Sequence, residues 1–252
     1  MKKLTIITVT YNASKVIRNT LRSFVNQTYR DFDVLIIDGA SKDDTVQCVA
    51  DELCTSGIEY RVISERDRGI YDAMNKGLVL AEGEYVLFMN AGDELHAEDT
   101  LKKIFTQPVA DIYYGKNLLM KNSLPYHETV IPSNLTWEMM SHGMLISHQS
   151  ILVKKELSVP YDERFKIVAD YLWVIDALKK SNSVICCDFP ISKYLLDGFS
   201  EVNFYRAWKE RFVILNMRYG VRGVLRGCAI FLYYLLRWKM LGKYIGPKRG
   251  GK

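Results

Sequence analysis

The strongest constraint on this chain is a rhythm. Across roughly the first 90 residues, four short β-rich apolar runs alternate with three stretches of helical spacing. The runs are 4–9, 32–37, 59–64 and 85–89. Val16, Ile17, Thr20, Leu21, Phe24 and Val25 give the first helix one apolar face; Val46, Val49, Ala50 and Leu53 give the second its own; 70–81 is the third. Asn12 or Ser14 is placed to cap the first helix. Asp43 and Asp44 are placed to open the second, where acids suit the positive end of the helix. Short loops joining such units predict a parallel, helix-covered sheet of the α/β class. With 252 residues and 48% hydrophobic content, the chain can form one large domain, or one domain with an appendage.

After Asp93 the rhythm breaks. The patterns predict a short helix at 101–105, a strand at 111–114, an irregular or antiparallel stretch at 115–131, and a strand at 148–154. A helix over 168–178 carries Val168, Tyr171, Leu172, Ile175 and Leu178 on one face, and short strands at 183–187 and 191–196 flank Pro190. From residue 201 the charge changes: twelve basic residues stand against Glu201 and Glu210, whereas the preceding part carries 22 basic against 27 acidic. Phe204, Trp208, Phe212, Leu215 and Tyr219 mark one face of a helix. Beyond Gly220, the apolar run 228–236 is shorter than the ~20 residues a spanning helix needs. Arg218, Arg222, Arg226, Arg237, Lys239 and Lys243 surround its aromatics. It reads as a helix lying in a membrane surface, or as a core helix packed on the main domain. An acidic body with a basic, aromatic tail suits a membrane surface and argues against nucleic acid. The odd set of Cys48, Cys54, Cys186, Cys187 and Cys228 has no metal-ligand spacing and predicts buried thiols in a reducing compartment. Thr5, Thr8 and Thr10 interrupt the first apolar run, which reads as a buried strand rather than a signal peptide.

No G-x-G-x-x-G follows the first strand, no P-loop or G-x-S-x-G occurs, and the four histidines lack zinc spacing. The candidate chemistry lies at strand ends. Thr10, Tyr11 and Asn12 follow the first strand, Asp38 and Ser41 the second, Asp67 and Arg68 the third, and Asn90 and Asp93 the fourth. Any one alone reads as a cap or turn residue. Together they occupy the carboxyl edge where open parallel sheets bind ligands. Asp38 and Asp67 can accept hydrogen bonds from a base or ribose, Tyr11 can stack on a base, and Asp93 can hold a hard divalent cation with phosphate. Asp72, Asn75 and Lys76 read as the solvated face of the third helix, with Asn75 also a candidate donor contact.

The segments TVTYN, IIDGASKDDT, SERDRGIYDAMNKG and GEYVLFMNAGDE resemble the nucleotide-sugar half of the family 2 glycosyltransferases. Among these they are most similar to bacterial enzymes that assemble capsule, exopolysaccharide and O-antigen units. The resemblance covers roughly 1–110 and continues more loosely through SHQ and VADY to about residue 196. It implies the glycosyltransferase-A fold, an open, mixed, mostly parallel sheet covered by helices. On that pattern 1–110 is the nucleotide-sugar-binding half, 111–200 the acceptor-binding half of the same domain, and 201–252 a helical, basic-aromatic, membrane-associating extension. It implies that Thr10, Tyr11 and Asn12 line the nucleotide pocket, that Asp38 meets the base, and that Asp67 with Arg68 completes the pocket. Asp93 is then the last acid of the family's Asp-x-Asp motif for Mg²⁺ or Mn²⁺. The sequence departs from the motif at Ala91, which leaves Asp93 as the one carboxylate and Asn90 as an amide-oxygen ligand. His148 and Gln149 fall on the acceptor side, and Asp170 falls at the catalytic base. The implied activity is inverting transfer from a nucleoside-diphosphate sugar, a UDP-sugar first, to a lipid-linked oligosaccharide at the cytoplasmic face of the membrane. Ala91 also admits a non-catalytic nucleotide-sugar-binding partner of a membrane complex. A nucleotidyltransferase is the weaker third reading, since no Gly-rich basic loop follows the first strand.

Overall fold

A computed structural model describes residues 2–121, 124–195 and 203–241. The expected alternation is observed. β1 (Leu4–Thr10), β2 (Phe32–Asp38), β3 (Glu59–Ser64) and β4 (Tyr85–Phe88) lie parallel in the order β3-β2-β1-β4. α1 (Ile17–Val25), α2 (Thr45–Leu53) and α3 (Ile70–Leu80) connect them. Successive side chains in a strand point to opposite faces, so these runs fill two cores. Ile7, Val9, Leu35, Ile37, Val86 and Phe88 pack beneath α3. Leu4, Ile6, Val34, Ile36, Tyr85 and Leu87 pack beneath α1 and α2. Burial on both faces explains why these strands read as continuous apolar runs.

The second half turns the sheet mixed. It contains β5 (Glu94–Leu95), α4 (Thr100–Phe105), β6 (Ile112–Lys121), β7 (Leu124–Glu128), β8 (Ile151–Lys154), α5 (Ala169–Lys180), β9 (Val184–Leu195) and α6 (Phe204–Leu241). β8 pairs antiparallel with both β4 and β6, β9 runs parallel to β6, and β5 closes the edge against β9. β6 and β7 form the antiparallel pair expected within 115–131.

Several expectations need correction. The strand at 148–154 begins only at Ile151: His148–Ser150 is a 3₁₀ turn, closed by Ser150 N–H on the Ser147 carbonyl at 3.0 Å. The strands at 183–187 and 191–196 are one strand, β9. Register shifts opposite Lys116 absorb Pro190, and residue 196 lies outside the described residues. The N-cap residues Val16 and Asp44 make no side-chain cap, and Asn12 accepts from Lys42 N–H in the next loop instead of capping α1; Asp43 does open α2, accepting from Thr45 N–H at 3.1 Å. All five cysteines are free, but only Cys48 and Cys187 are buried, while Cys54 and Cys228 are exposed.

The tail divides at Gly220, as expected. Its φ of 61° interrupts α6, a conformation that is easy only for glycine. The second half folds back on the first. The Phe231 ring lies 5.1 Å from Trp208 and 6.1 Å from both Phe204 and Phe212. The first half is docked on the body. Ala207, Ile214 and Leu215 enter the core beside α5, Arg218 pairs with Asp176 at 2.6 Å, and Glu210 accepts from the N–H groups of Lys166, Ile167 and Val168. Of the run 228–236, for which a core helix on the main domain is the alternative, Phe231 packs on the first half of α6. Val221, Leu225, Leu232, Tyr233 and Leu236 remain exposed on the second. Among the described residues no helix is long and apolar enough to cross a membrane. Lys243 and the terminal PKRGGK lie outside the described residues. Because Glu210 satisfies three amides leading into α5, Glu210→Ala is expected to destabilise the chain by about 1–3 kcal/mol, read by urea denaturation.

Candidate active site

Parallel pairing aligns the strand ends. Thr10 stands opposite Asp38, and Asp38 opposite Ser64. From this edge the β1–α1 and β2–α2 loops are laced together. Ser41 Oγ accepts from Asn12 N–H at 2.7 Å and donates to Asp38 Oδ1 at 2.5 Å. Asp38 Oδ2 accepts from Ser41 N–H and Ser64 Oγ–H, and the Asn12 side chain accepts from Lys42 N–H. Two non-glycine residues here have positive φ, Asn12 at 48° and Ala40 at 60°. Such backbone strain clusters at functional sites. Beside the loops lies a cavity of about 520 Å³ lined by Thr10, Tyr11, Gly39, Arg66, Asp67 and Ile70, among others. A Cβ at Gly39 would come within 3.0 Å of Asp67 Oδ2 and 3.3 Å of the Tyr11 ring, so any larger residue would push one of them aside. Tyr11 stands 63% exposed at the mouth, with a face free for stacking.

A second cavity, of about 260 Å³, is lined by His148, Gln149, Asp170, Tyr171, Tyr194 and Arg211, among others. The 3₁₀ turn aims its two polar side chains in different directions. Gln149 Nε2 donates to Asp93 Oδ2 at 3.0 Å. His148 Nδ1 lies 3.1 Å from Asp170 Oδ2, and its Nε2 lies 3.2 Å from Asn90 Nδ2. A neutral imidazole donating from Nδ1 and accepting at Nε2 satisfies both contacts. Tyr71 Oη bonds the Ile167 carbonyl at 2.8 Å and reaches Asp170 Oδ1 at 3.3 Å. Consecutive residues thus tie the β4 acid loop to the start of α5.

The two carboxylates differ in environment. Burial pushes the Asp93 carboxyl up to about 6. Burial is the largest single influence on Asp170 and works to raise it, but the hydrogen bond and charge of His148, the Tyr171 N–H and the charge of Arg211 together outweigh it, and Asp170 lies below the usual carboxylate range. The acid loop suits a hard cation. Asn90 Oδ1 is buried with no hydrogen-bond partner, one turn from Asp93. The described residues contain no group of three or more His, Cys, Asp or Glu able to hold a metal. Asp93 and Asn90 would therefore supply one or two oxygens, the rest coming from phosphate and water, as Mg²⁺ commonly arranges.

Thr10, Tyr11 and Asp67 meet at the first cavity, and His148, Gln149 and Asp170 at the second. Asn12, Asp38 and Ser41 form the loop lacing beneath the first. Arg68 and Asn75 are corrections. The Arg68 guanidinium, 74% exposed, pairs with Asp72 and Glu163 and is not among the residues lining the cavity. Asn75 spends both ends of its amide on the Tyr161 backbone. Lys76 does more than solvate α3, holding Asp67 at 2.7 Å. Sequence reasoning missed Arg66, Tyr71 and Arg211. Arg66 stands two places from a residue already singled out; Tyr71 and Arg211 sit at helical positions with no local signal of function.

The profile of glycosyl transferase family 2 matches residues 5–111. A PGL/p-HBAD biosynthesis glycosyltransferase of Mycobacterium tuberculosis is 30% identical over 175 residues, 66% of each chain, so the match spans about two thirds of that relative's length. The Escherichia coli protein named UDP-Glc:alpha-D-GlcNAc-diphosphoundecaprenol beta-1,3-glucosyltransferase WfgD is 26% identical over 99% of this chain and 98% of its own. In fold, the crystal structure of Staphylococcus aureus TarS 1-349 superposes with a TM-score of 0.71 at 19% identity, over 96% of this chain and 75% of TarS.

Proposed function

We propose that this chain, which belongs to glycosyltransferase family 2, transfers a sugar with inversion from a nucleoside-diphosphate sugar to a lipid-linked acceptor in bacterial surface-glycan synthesis. The observation that carries the reading is the His148–Gln149 bridge, which sets a cation-competent acid and a base candidate around one short turn lining the second cavity. The nucleotide lies in the Thr10–Tyr11–Asp67 cavity, with its diphosphate toward Asn90 and Asp93. UDP is the first candidate, because the related fold of TarS has been crystallised with UDP and with UDP-GlcNAc. A mannosyltransferase of the same fold from Pyrobaculum calidifontis carries GDP-Man and Mn²⁺. A bound Mg²⁺ or Mn²⁺ would neutralise charge growing on the departing diphosphate.

Asp170 takes the proton of the acceptor hydroxyl as that oxygen bonds to the anomeric carbon. The bond from that carbon to the phosphate oxygen breaks, and the nucleoside diphosphate leaves. His148 fixes the Asp170 carboxylate and keeps it ionised. The lipid-linked acceptor is supported by WfgD, whose name specifies a diphosphoundecaprenol-linked one. The exposed apolar residues of the α6 second half, together with Arg222, support a location at the inner face of the membrane.

Donor hydrolysis over a panel of sugar nucleotides, with and without Mn²⁺, tests the reading. Turnover of one donor is expected. Metal-independent UDP binding with no turnover of any donor would favour a non-catalytic binder instead. A second expectation concerns pH. His148→Phe removes the largest influence opposing the burial of Asp170, leaving only the Tyr171 N–H and the Arg211 charge, so the base titrates higher. The acidic limb of the kcat/KM profile should then move to higher pH, because that limb reports the free enzyme's base.

A further inference from the structure

The acceptor-side cavity contains a cation that the proposed reaction leaves unused. Arg211 reaches it from the first half of α6. Three other arginines of this helix have partners: Arg206 with Glu210 at 3.4 Å, Arg218 with Asp176, and Arg226 with Ser141 Oγ at 2.8 Å. Arg211 Nε is buried with no hydrogen-bond partner, and its guanidinium lies 5.4 Å from the centre of the Trp208 ring. Among the described residues the acid lining the cavity is Asp170, whose oxygens bond His148 and Tyr71. Asp170 feels the Arg211 charge but makes no hydrogen bond to it, and a buried donor left unpaired is unfavourable until a hydrogen-bond acceptor completes it. The guanidinium fork suits phosphate oxygens.

That anion is not the donor's, whose phosphates lie at the other cavity and the Asp93 loop. It belongs to the acceptor. The cavity, about 260 Å³, falls just below the ~300–1,000 Å³ of sites for drug-sized ligands. It therefore has room for little more than one sugar and its substituent between Asp170 and Arg211. We propose that Arg211 binds the diphosphate joining the acceptor's first sugar to its lipid carrier, and so selects a sugar one residue from that diphosphate as the site of transfer. This rests on the donor and base assignments above. The lipid would leave along the apolar second half of α6, where Val221 and Leu225 are exposed.

The test is calorimetric titration of the full chain, saturated with UDP, using three probes: geranyl diphosphate, inorganic pyrophosphate and glucuronate. Wild type is expected to bind geranyl diphosphate at least about tenfold more tightly than Arg211→Gln does, the effect of a lost hydrogen bond to a charged group. Arg211→Lys, which keeps the charge but not the fork, should recover part of the loss. UDP affinity should match in all three proteins, which reports that the variants fold. Equal binding of geranyl diphosphate to wild type and Arg211→Gln overturns the proposal. Equal binding of geranyl diphosphate and pyrophosphate by wild type overturns the lipid carrier as the source. Arg211-dependent binding of glucuronate alone overturns the diphosphate in favour of an acidic sugar. Failure of wild type to bind UDP counts against the donor reading instead, and repeating the Arg211 comparison without UDP separates the two.

Discussion

Asp170→Asn is expected to lower sugar transfer by about a hundredfold or more, the low end for a lost general base, while UDP affinity stays unchanged. Asparagine is nearly isosteric and can still accept from His148 Nδ1 at the 3.1 Å separation seen for the aspartate. The turn and both cavities should therefore persist, and what disappears is the proton acceptor. The donor cavity does not include Asp170, so UDP titration supplies an internal control that a misfolded variant would fail. Because the carboxylate already lies below its usual range, wild type should keep its base ionised at any pH near neutrality. The deficit of the variant should then be flat from about pH 6 to 8, since an ordinary aspartate titrates near ~3.9. A variant retaining full kcat would remove Asp170 from the base role and leave the second cavity without a chemical purpose.

Much of this site was legible because parallel sheets convert local pattern into position. Four apolar runs with helices between them fix a carboxyl edge. Whatever polar residues follow the runs must gather there, as the pairing of Thr10, Asp38 and Ser64 demonstrates. The failures have a common physical cause. Periodicity describes a residue's relation to its own element, not to partners far away in the chain. Asn75 looked like an exposed helix amide because its partner, the Tyr161 backbone, is 86 residues away. Arg68 and Arg66 are indistinguishable by composition; the turn into α3 sends one toward Asp72 and the other to the cavity. The His148–Ser150 turn was hidden because it leads without a break into the apolar run that forms β8. Arg211 was read as one of many tail charges, because nothing local announces that its helix packs beside α5.

Asp93→Asn should separate stability from function in opposite directions. In wild type, burial holds the carboxyl near pH 6, above the ~3.9 of an unfolded aspartate. Between those values the folded chain keeps a proton that the unfolded chain has released. Stability therefore falls as pH rises from about 4 through 6 and is level above. A shift of about two units corresponds to roughly 3 kcal/mol. Asparagine can accept from Gln149 Nε2 as the carboxylate does at 3.0 Å, yet carries no charge to bury. Urea denaturation of the metal-free chains should find the variant more stable at pH 7.5, by up to about 3 kcal/mol, with the difference vanishing near pH 4. Transfer should fall about a hundredfold or more, since charge on the leaving diphosphate loses its stabilising cation. The same substitution should abolish a stabilisation that Mn²⁺ with UDP gives wild type, about 2.7 kcal/mol when the ligand is at a hundred times its Kd. A carboxylate kept at a stability deficit is what a cation site requires, because the ion and not the protein supplies the opposite charge. If the variant proves less stable at pH 7.5 and still responds to Mn²⁺ with UDP, Asp93 is a structural acid and the cation lies elsewhere.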